Sequence, residues 1–277
     1  MNASRLPFWL IAPLALLAFA GNSLLARAVL LDSGNSPGAF AAVRLVSGAI
    51  LLAGLGAVRG FAILPHRRDA PTVIALLVYA LGFALAYVSI GAASGALILF
   101  AAVQATIIGM GLWRGDRIRP IQAIGLALAF SGLCWLLFPG LTAPPVYAAL
   151  LMGCAGIAWG VYSTVNSGDG APVARTARNF TGAAVLGLVA LAVLPFGLTP
   201  MGWALAIVSG STTSALGYVL WYALLPQITR LTAATLQLLV PAITALGASA
   251  LLGEAIGLRL AGASILILSG IALTIRR

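Results

Sequence analysis

An all-α polytopic membrane protein, ten transmembrane helices built as two inverted five-helix repeats, is the fold this sequence predicts. Three observations predict it. Of the 277 residues, 62% are hydrophobic and only 7% are charged. No water-facing surface can be built from that inventory, since soluble domains carry about 25% charged residues. The apolar residues fall into runs of about twenty without period-two alternation, which is the length of a membrane-crossing helix and not the pattern of a barrel strand. Finally, the second half of the chain repeats motifs of the first.

Proline, glycine and charge punctuate the runs and set out the segments in order. The first runs from Phe8 to Leu31 and carries Asn22 and Ser23. Arg5 and Ala18-Phe19-Ala20 imitate a cleavable leader, but the apolar stretch continues to Leu31, so it is expected to stay as a helix. The second, Pro37 to Val58, holds Arg44 about 10 Å in from its start at 1.5 Å per residue. The third, Pro71 to Ile90, spaces Tyr79, Phe83 and Tyr87 along one helical face, and the fourth, Ala93 to Trp113, has Gln104 near its middle. Ile118 to Phe138 is the fifth; Pro145 to Asn166, with Trp159, Tyr162 and Ser163, is the sixth; Val173 to Leu194, with Arg178, is the seventh. The eighth, Thr199 to Tyr222, combines the run Ser211, Thr212, Thr213, Ser214 with Tyr218, Trp221 and Tyr222. The ninth, Leu231 to Leu252, places Pro241 four residues after Gln237, where its ring removes a helical hydrogen bond and frees the carbonyl of residue 237. Ile256 to Ile275 closes the series.

A single ungapped shift superposes Asp116 on Glu254, Ile90 on Ile228, Thr106 on Thr244, Gly109 on Gly247, and Ser131-Gly132 on Ser269-Gly270. A slightly different shift brings Arg44-Leu-Val-Ser-Gly48 onto Arg178-Asn-Phe-Thr-Gly182. Residues 1–140 and 141–277 are thus expected as two five-helix repeats of one membrane domain. An odd helix number inserts the copies with opposite orientation, an architecture whose site lies at the repeat interface. All fifteen basic residues are Arg. With both termini cytoplasmic, only Arg27 and Arg259 fall near the outer face, so a multi-pass bacterial-type inner membrane protein in that orientation is expected.

The formal charge of +10 comes from arginines scattered singly between apolar runs, so it is topological and no nucleic-acid partner is expected. Cys134 and Cys154 show no metal-ligand spacing and read as small core residues; no metal and no cofactor is expected. Asp32, Asp69, Asp116, Asp169 and Glu254 sit at helix ends or in loops, and His66, the single histidine, lies in a basic loop. That leaves no mid-membrane carboxylate for proton coupling and no acid, base or nucleophile set for an enzyme. The lipid bilayer and a small-molecule substrate are the expected partners, with a monomer expected and a dimer the alternative.

The motifs around Arg44 and Arg178, the stretch from Ser94 to Gly132 through Gly115-Asp116, its second copy from Thr232 through Pro241 and Gly253-Glu254 to Gly270, and Trp159-Gly160 resemble the drug/metabolite transporter superfamily in its ten-helix EamA-type branch. Within it the chain is similar to YddG-like exporters of aromatic and other neutral amino acids. It departs from the family at Ala20-Gly21, where Trp-Gly is common. The resemblance implies a secondary transporter; efflux of other small solutes or drugs, and a membrane-embedded enzyme or scaffold, are the alternatives.

The site residues expected to bind substrate are Asn22, Ser23, Tyr79, Phe83, Gln104, Trp159, Ser163, Ser214, Tyr218 and Gln237, with Pro241 as hinge or gate. Amides, hydroxyls and rings without fixed acid suit a neutral amino acid. Tyr87, Trp221 and Tyr222, near helix ends, read as interfacial anchors. Arg44 and Arg178 are structural or carboxylate-binding, and snorkelling is the simplest structural reading of Arg44.

Overall fold

The computed structural model describes residues 7–113, 115, 119–138, 140, 143–166, 172–191, 195–228, 233 and 236–275. The expectations placed on Arg5, Asp116, Asp169 and Thr232, and the segment ends expected at Ile118, Leu194 and Leu231, lie outside these residues. Among the described residues the chain is all-helical, and ten helices follow one another: α1 (Phe8–Leu30), α2 (Pro37–Arg59), α3 (Ala70–Tyr87), α4 (Ala92–Trp113), α5 (Pro120–Leu137), α6 (Val146–Asn166), α7 (Pro172–Ala190), α8 (Pro200–Gln227), α9 (Leu239–Leu252) and α10 (Leu258–Ile275).

The ends are set by local chemistry. Ser36 accepts the Ala39 N–H ahead of Pro37 and starts α2, and Thr199 accepts the Gly202 N–H ahead of Pro200 and starts α8. α2 ends at Gly60 and α9 at Gly253, each with positive φ (72° and 68°), which glycine adopts without strain. Seven of the described helices are long and apolar enough to cross a bilayer: α1 to α6 and α8. α7 falls short because Arg175, Arg178 and Asn179 occupy its first turns, and α9 and the apolar stretch of α10, Leu258–Thr274, are shorter. α5 turns most of its surface outward, exposing Ile121, Ile124, Phe130 and Trp135, as lipid permits.

Helix contacts come in related pairs. α2 packs on α7 and α5 on α10; α3 packs on α6 as α1 does on α8; α4 packs on α6 as α1 does on α9; α3 packs on α7 as α2 does on α8. Small residues make the close approaches, since association in lipid rests on contact rather than on exclusion of water. Gly125 and Gly132 on α5 meet Gly270 and Ile267 on α10.

Helix α8 is not uniform. It is α-helical over Pro200–Val208, widens to a π-helix over Ser209–Leu216, resumes as α over Gly217–Leu224 and ends in a 3₁₀ turn, Leu225–Gln227. Gly210 in the wide segment presses on the Arg44 carbonyl and Ser47 of α2, so a Cβ there collides with backbone. Gly210→Val is expected to cost about 1–3 kcal/mol of packing, read as lower folded yield and melting temperature in detergent. A melting curve like that of the parent would show that α2 and α8 do not need this approach.

Two expectations are corrected here. Cys134 and Cys154 are exposed rather than buried in the core, Cys154 against the apolar space between α4, α5, α6 and α10, because lipid imposes no difference in hydrophobicity between inside and outside. Tyr87, Trp221 and Tyr222 are buried in the core rather than anchored at an interface.

Candidate functional site

Arg44 is the organising residue. α2 carries it into the bundle interior, where 2% of it is exposed, so it does not snorkel. Its Nε donates to Ser214 Oγ (2.8 Å) and its Nη2 to Tyr79 Oη (3.0 Å). The guanidinium carbon lies 5.1 Å from the Tyr79 ring centroid and 4.9 Å from that of Phe83, within cation–π range. Nη1 completes no hydrogen bond of good geometry, and Tyr218 Oη, which lies close to both Arg44 and the Tyr79 hydroxyl, completes none either. Neither partner of Arg44 is a carboxylate.

Rings close around this charge. Trp159 on α6 sits 5.0 Å from Tyr79, 4.7 Å from Tyr218 and 5.2 Å from Tyr162, on which it stacks; Phe19 on α1 and Phe180 on α7 complete the cage at 6.2 Å from Trp159 and 5.6 Å from Tyr218. Beneath it, Asn22 Nδ2 donates to the Thr213 carbonyl (3.2 Å), which fixes the amide so that Oδ1 accepts from Ser209 Oγ (3.2 Å), Thr213 Oγ1 (2.6 Å) and Ser214 Oγ (3.0 Å). These hydroxyls share one side of α8 because the wider π turn brings Ser209, Thr213 and Ser214 together. Such bulges recur at functional sites.

The structure therefore brings Asn22, Arg44, Tyr79, Phe83, Trp159, Ser214 and Tyr218 into one network drawn from both halves of the chain. Other candidates lie apart. Gln104 is buried with Nε2 unpartnered, but it lines a different, apolar space of about 580 Å³ between α4, α5, α6 and α10. Gln237 is buried just before a turn at Leu238, the break that Pro241 foretold. Ser23 lies beside the Tyr87 hydroxyl, and Ser163 is half-buried on α6. Thr213 belongs to the polar run already singled out in the eighth segment; Phe19, Phe180 and Ser209 were not anticipated, and that same polar run, which begins two residues after Ser209, was the available signal for Ser209.

Arg178 has a different fate from its repeat mate. Its Nε meets Asp69 Oδ2 (2.7 Å) and its Nη2 meets Oδ1 (3.4 Å), and Asp69 also accepts the His66 N–H (2.9 Å). This pair ties α7 to the start of α3. At the other end of α3, Arg27 Nε meets Glu254 Oε1 (2.9 Å), its Nη1 donates to the Tyr87 carbonyl (2.9 Å), and Glu254 Oε2 accepts the Ala92 N–H (2.8 Å). That second pair ties α1, α3 and the start of α4 to the α9–α10 connection. α3 has 18 residues, which separates the two clamps by about 27 Å.

The helical bundle thus encloses one buried charge and a cage of rings between two ion pairs at opposite ends of α3. The EamA-like transporter family matches residues 146–276, the second half. Over 268 residues the chain is 45% identical to "Uncharacterized protein PA1977" of Pseudomonas aeruginosa, covering 95% of this chain and 93% of that protein. A solved structure described as "Crystal structure of protein" shares the fold, with TM-score 0.68 at 18% identity over 96% of both chains. The chain belongs to the EamA-like transporter family.

Proposed function

We propose that this chain is a secondary transporter that exports small metabolites joining a carboxylate to an apolar or aromatic body, aromatic and other neutral amino acids being the class the family resemblance implies. The observation that carries this reading is Arg44, buried without an acidic partner inside a cage of rings. A substrate carboxylate would take Nη1, and the ring or alkyl body would lie among Trp159, Tyr79 and Tyr218. Because Trp159 packs on both tyrosines, binding must move it, and the two halves must part on one side at a time.

Among the described residues, Asp69 and Glu254 are each held by another arginine, so neither is free to relay protons through the cage. Asp32, the third described acid, is exposed in the α1–α2 connection, and the reading is therefore of flux without obligatory proton coupling. Sealed liposomes holding the purified chain, loaded with unlabelled amino acid and assayed for counterflow with and without a pH gradient, test both parts. Exchange that strictly needs the gradient would overturn the uncoupled mechanism, and no exchange of any carboxylate would overturn the substrate class.

Trp159→Ala removes the largest ring of the cage. It should weaken aromatic substrates by about 1 kcal/mol or more, roughly fivefold or more in flux per folded molecule, and alanine much less. Equal loss on both would assign Trp159 to packing alone. We place the Asp69–Arg178 end in the cytoplasm on the arginine distribution. In a background without Cys134 and Cys154, Arg68→Cys should react with an impermeant maleimide only from the cytoplasmic side; reaction from outside would invert the orientation.

A further inference from the structure

We infer that the cage is built for a net anion, a monocarboxylate without an ammonium group, in preference to a zwitterion. The inference rests on the reading of the cage as the substrate site and sharpens it by charge. Every partner of the Arg44 guanidinium is neutral: the Ser214 and Tyr79 hydroxyls and the Tyr79 and Phe83 rings. Arginine stays protonated in proteins, and a buried charge is stable only when paired. A monocarboxylate brings the missing charge and leaves the site neutral. A zwitterion brings its own cation, so the bound site keeps a net positive charge away from water.

The hydrogen-bond inventory points the same way. Two polar atoms of the cage complete no hydrogen bond of good geometry: Arg44 Nη1, a donor, and Tyr218 Oη, which lies beside Arg44 and Tyr79 and still carries a proton to donate. Asn22 Oδ1, an acceptor an ammonium group would need, already accepts from three hydroxyls. Two donors close together match both oxygens of one carboxylate, or one of them and an oxo oxygen on the next carbon; the second pairing gives each donor a separate group on the ligand and is the one we take. The substrate class is then a 2-oxo acid with an aromatic or branched apolar body.

The test uses four compounds sharing one ring and one chain: phenylpyruvate, 3-phenylpropionate, phenylalanine and phenethylamine, each assayed by counterflow in liposomes with the full chain. Phenylpyruvate should be fastest, phenylpropionate next, and phenylalanine slower by on the order of tenfold, the loss expected when a charged hydrogen-bond group lacks its partner. Arg44→Gln should remove the preference for the anions over phenylalanine. Tyr218→Phe deletes a hydroxyl that completes no hydrogen bond of good geometry; with a melting temperature in detergent like that of the parent, it should slow phenylpyruvate several-fold and leave phenylpropionate unchanged. Phenylalanine exchanging as fast as the two anions would overturn the charge preference while leaving the carboxylate site standing. Equal effects of Tyr218→Phe on phenylpyruvate and phenylpropionate would overturn the 2-oxo assignment. Exchange of phenethylamine alone would overturn both the inference and the proposed site.

Discussion

Glu254→Gln and Asp69→Asn are expected to drive the transporter toward opposite faces. Each substitution keeps the shape of a side chain that closes one end of the bundle and removes its charge. Glu254 joins the Arg27 guanidinium to the first N–H of α4, and Asp69 joins Arg178 to the turn before α3. Both pairs are largely buried, with side chains 16% and 21% exposed at one end and 13% and 5% at the other. Breaking a buried pair from one side strands the other charge at a cost of about 3–5 kcal/mol. Opening that end returns the stranded arginine to water, so only part of this cost shifts the conformational equilibrium. Even about 2 kcal/mol is roughly a thirtyfold change in the ratio of closed to open. Single cysteines near each clamp, labelled from each side, read the ratio directly. Glu254→Gln should raise reactivity only at the Arg27 end and Asp69→Asn only at the Arg178 end, and both should slow exchange because one gate no longer closes. If both raise labelling at the same end, or neither changes it, the ion pairs are fastenings of a static bundle and not gates.

The helical membrane architecture was legible because lipid leaves few options: runs of about twenty apolar residues must be helices. What lipid hides is the facing of each helix. Cys134 and Cys154 are exposed while Tyr87, Trp221 and Tyr222 are buried, and in a chain this apolar no periodicity separates the two cases. Arg44 and Arg178 occupy matching motifs, yet one meets Asp69, 109 residues away, and the other meets hydroxyls and rings. No local spacing distinguishes them, since the decision lies in which residue a distant helix presents. The break ahead of Pro241 was legible because proline states its own consequence. The π turn of α8 was not, because a run of Ser and Thr can bond back to its own helix in any register, as Ser211 does to the Ile207 carbonyl. Gln104 was drawn toward the site by its depth alone, and depth does not say which side of α4 it takes.

Asn22 offers the sharpest single probe of that π turn. Asn22→Leu leaves Ser209 and Ser214 hydroxyls buried without their acceptor, while Thr213 keeps the Ser209 carbonyl as a partner. Each stranded hydroxyl costs about 1–3 kcal/mol, enough to let the wide turn relax and to withdraw Ser214 from Arg44. Exchange should be abolished, with a fall in melting temperature as the sign that structure went with it. Asn22→Asp separates architecture from charge. Its carboxylate accepts the same three hydroxyls, gives up the donation to the Thr213 carbonyl, and sets a negative charge one hydroxyl away from Arg44. The guanidinium then has a counter-charge inside the protein, and a substrate carboxylate no longer supplies what is missing. Anionic substrates should lose on the order of tenfold in exchange, and phenylalanine, whose ammonium group now meets an acid, should lose less or gain. An Asn22→Asp protein that folds and exchanges anions and zwitterions in the parent ratio would show that the Arg44 charge does not choose the substrate.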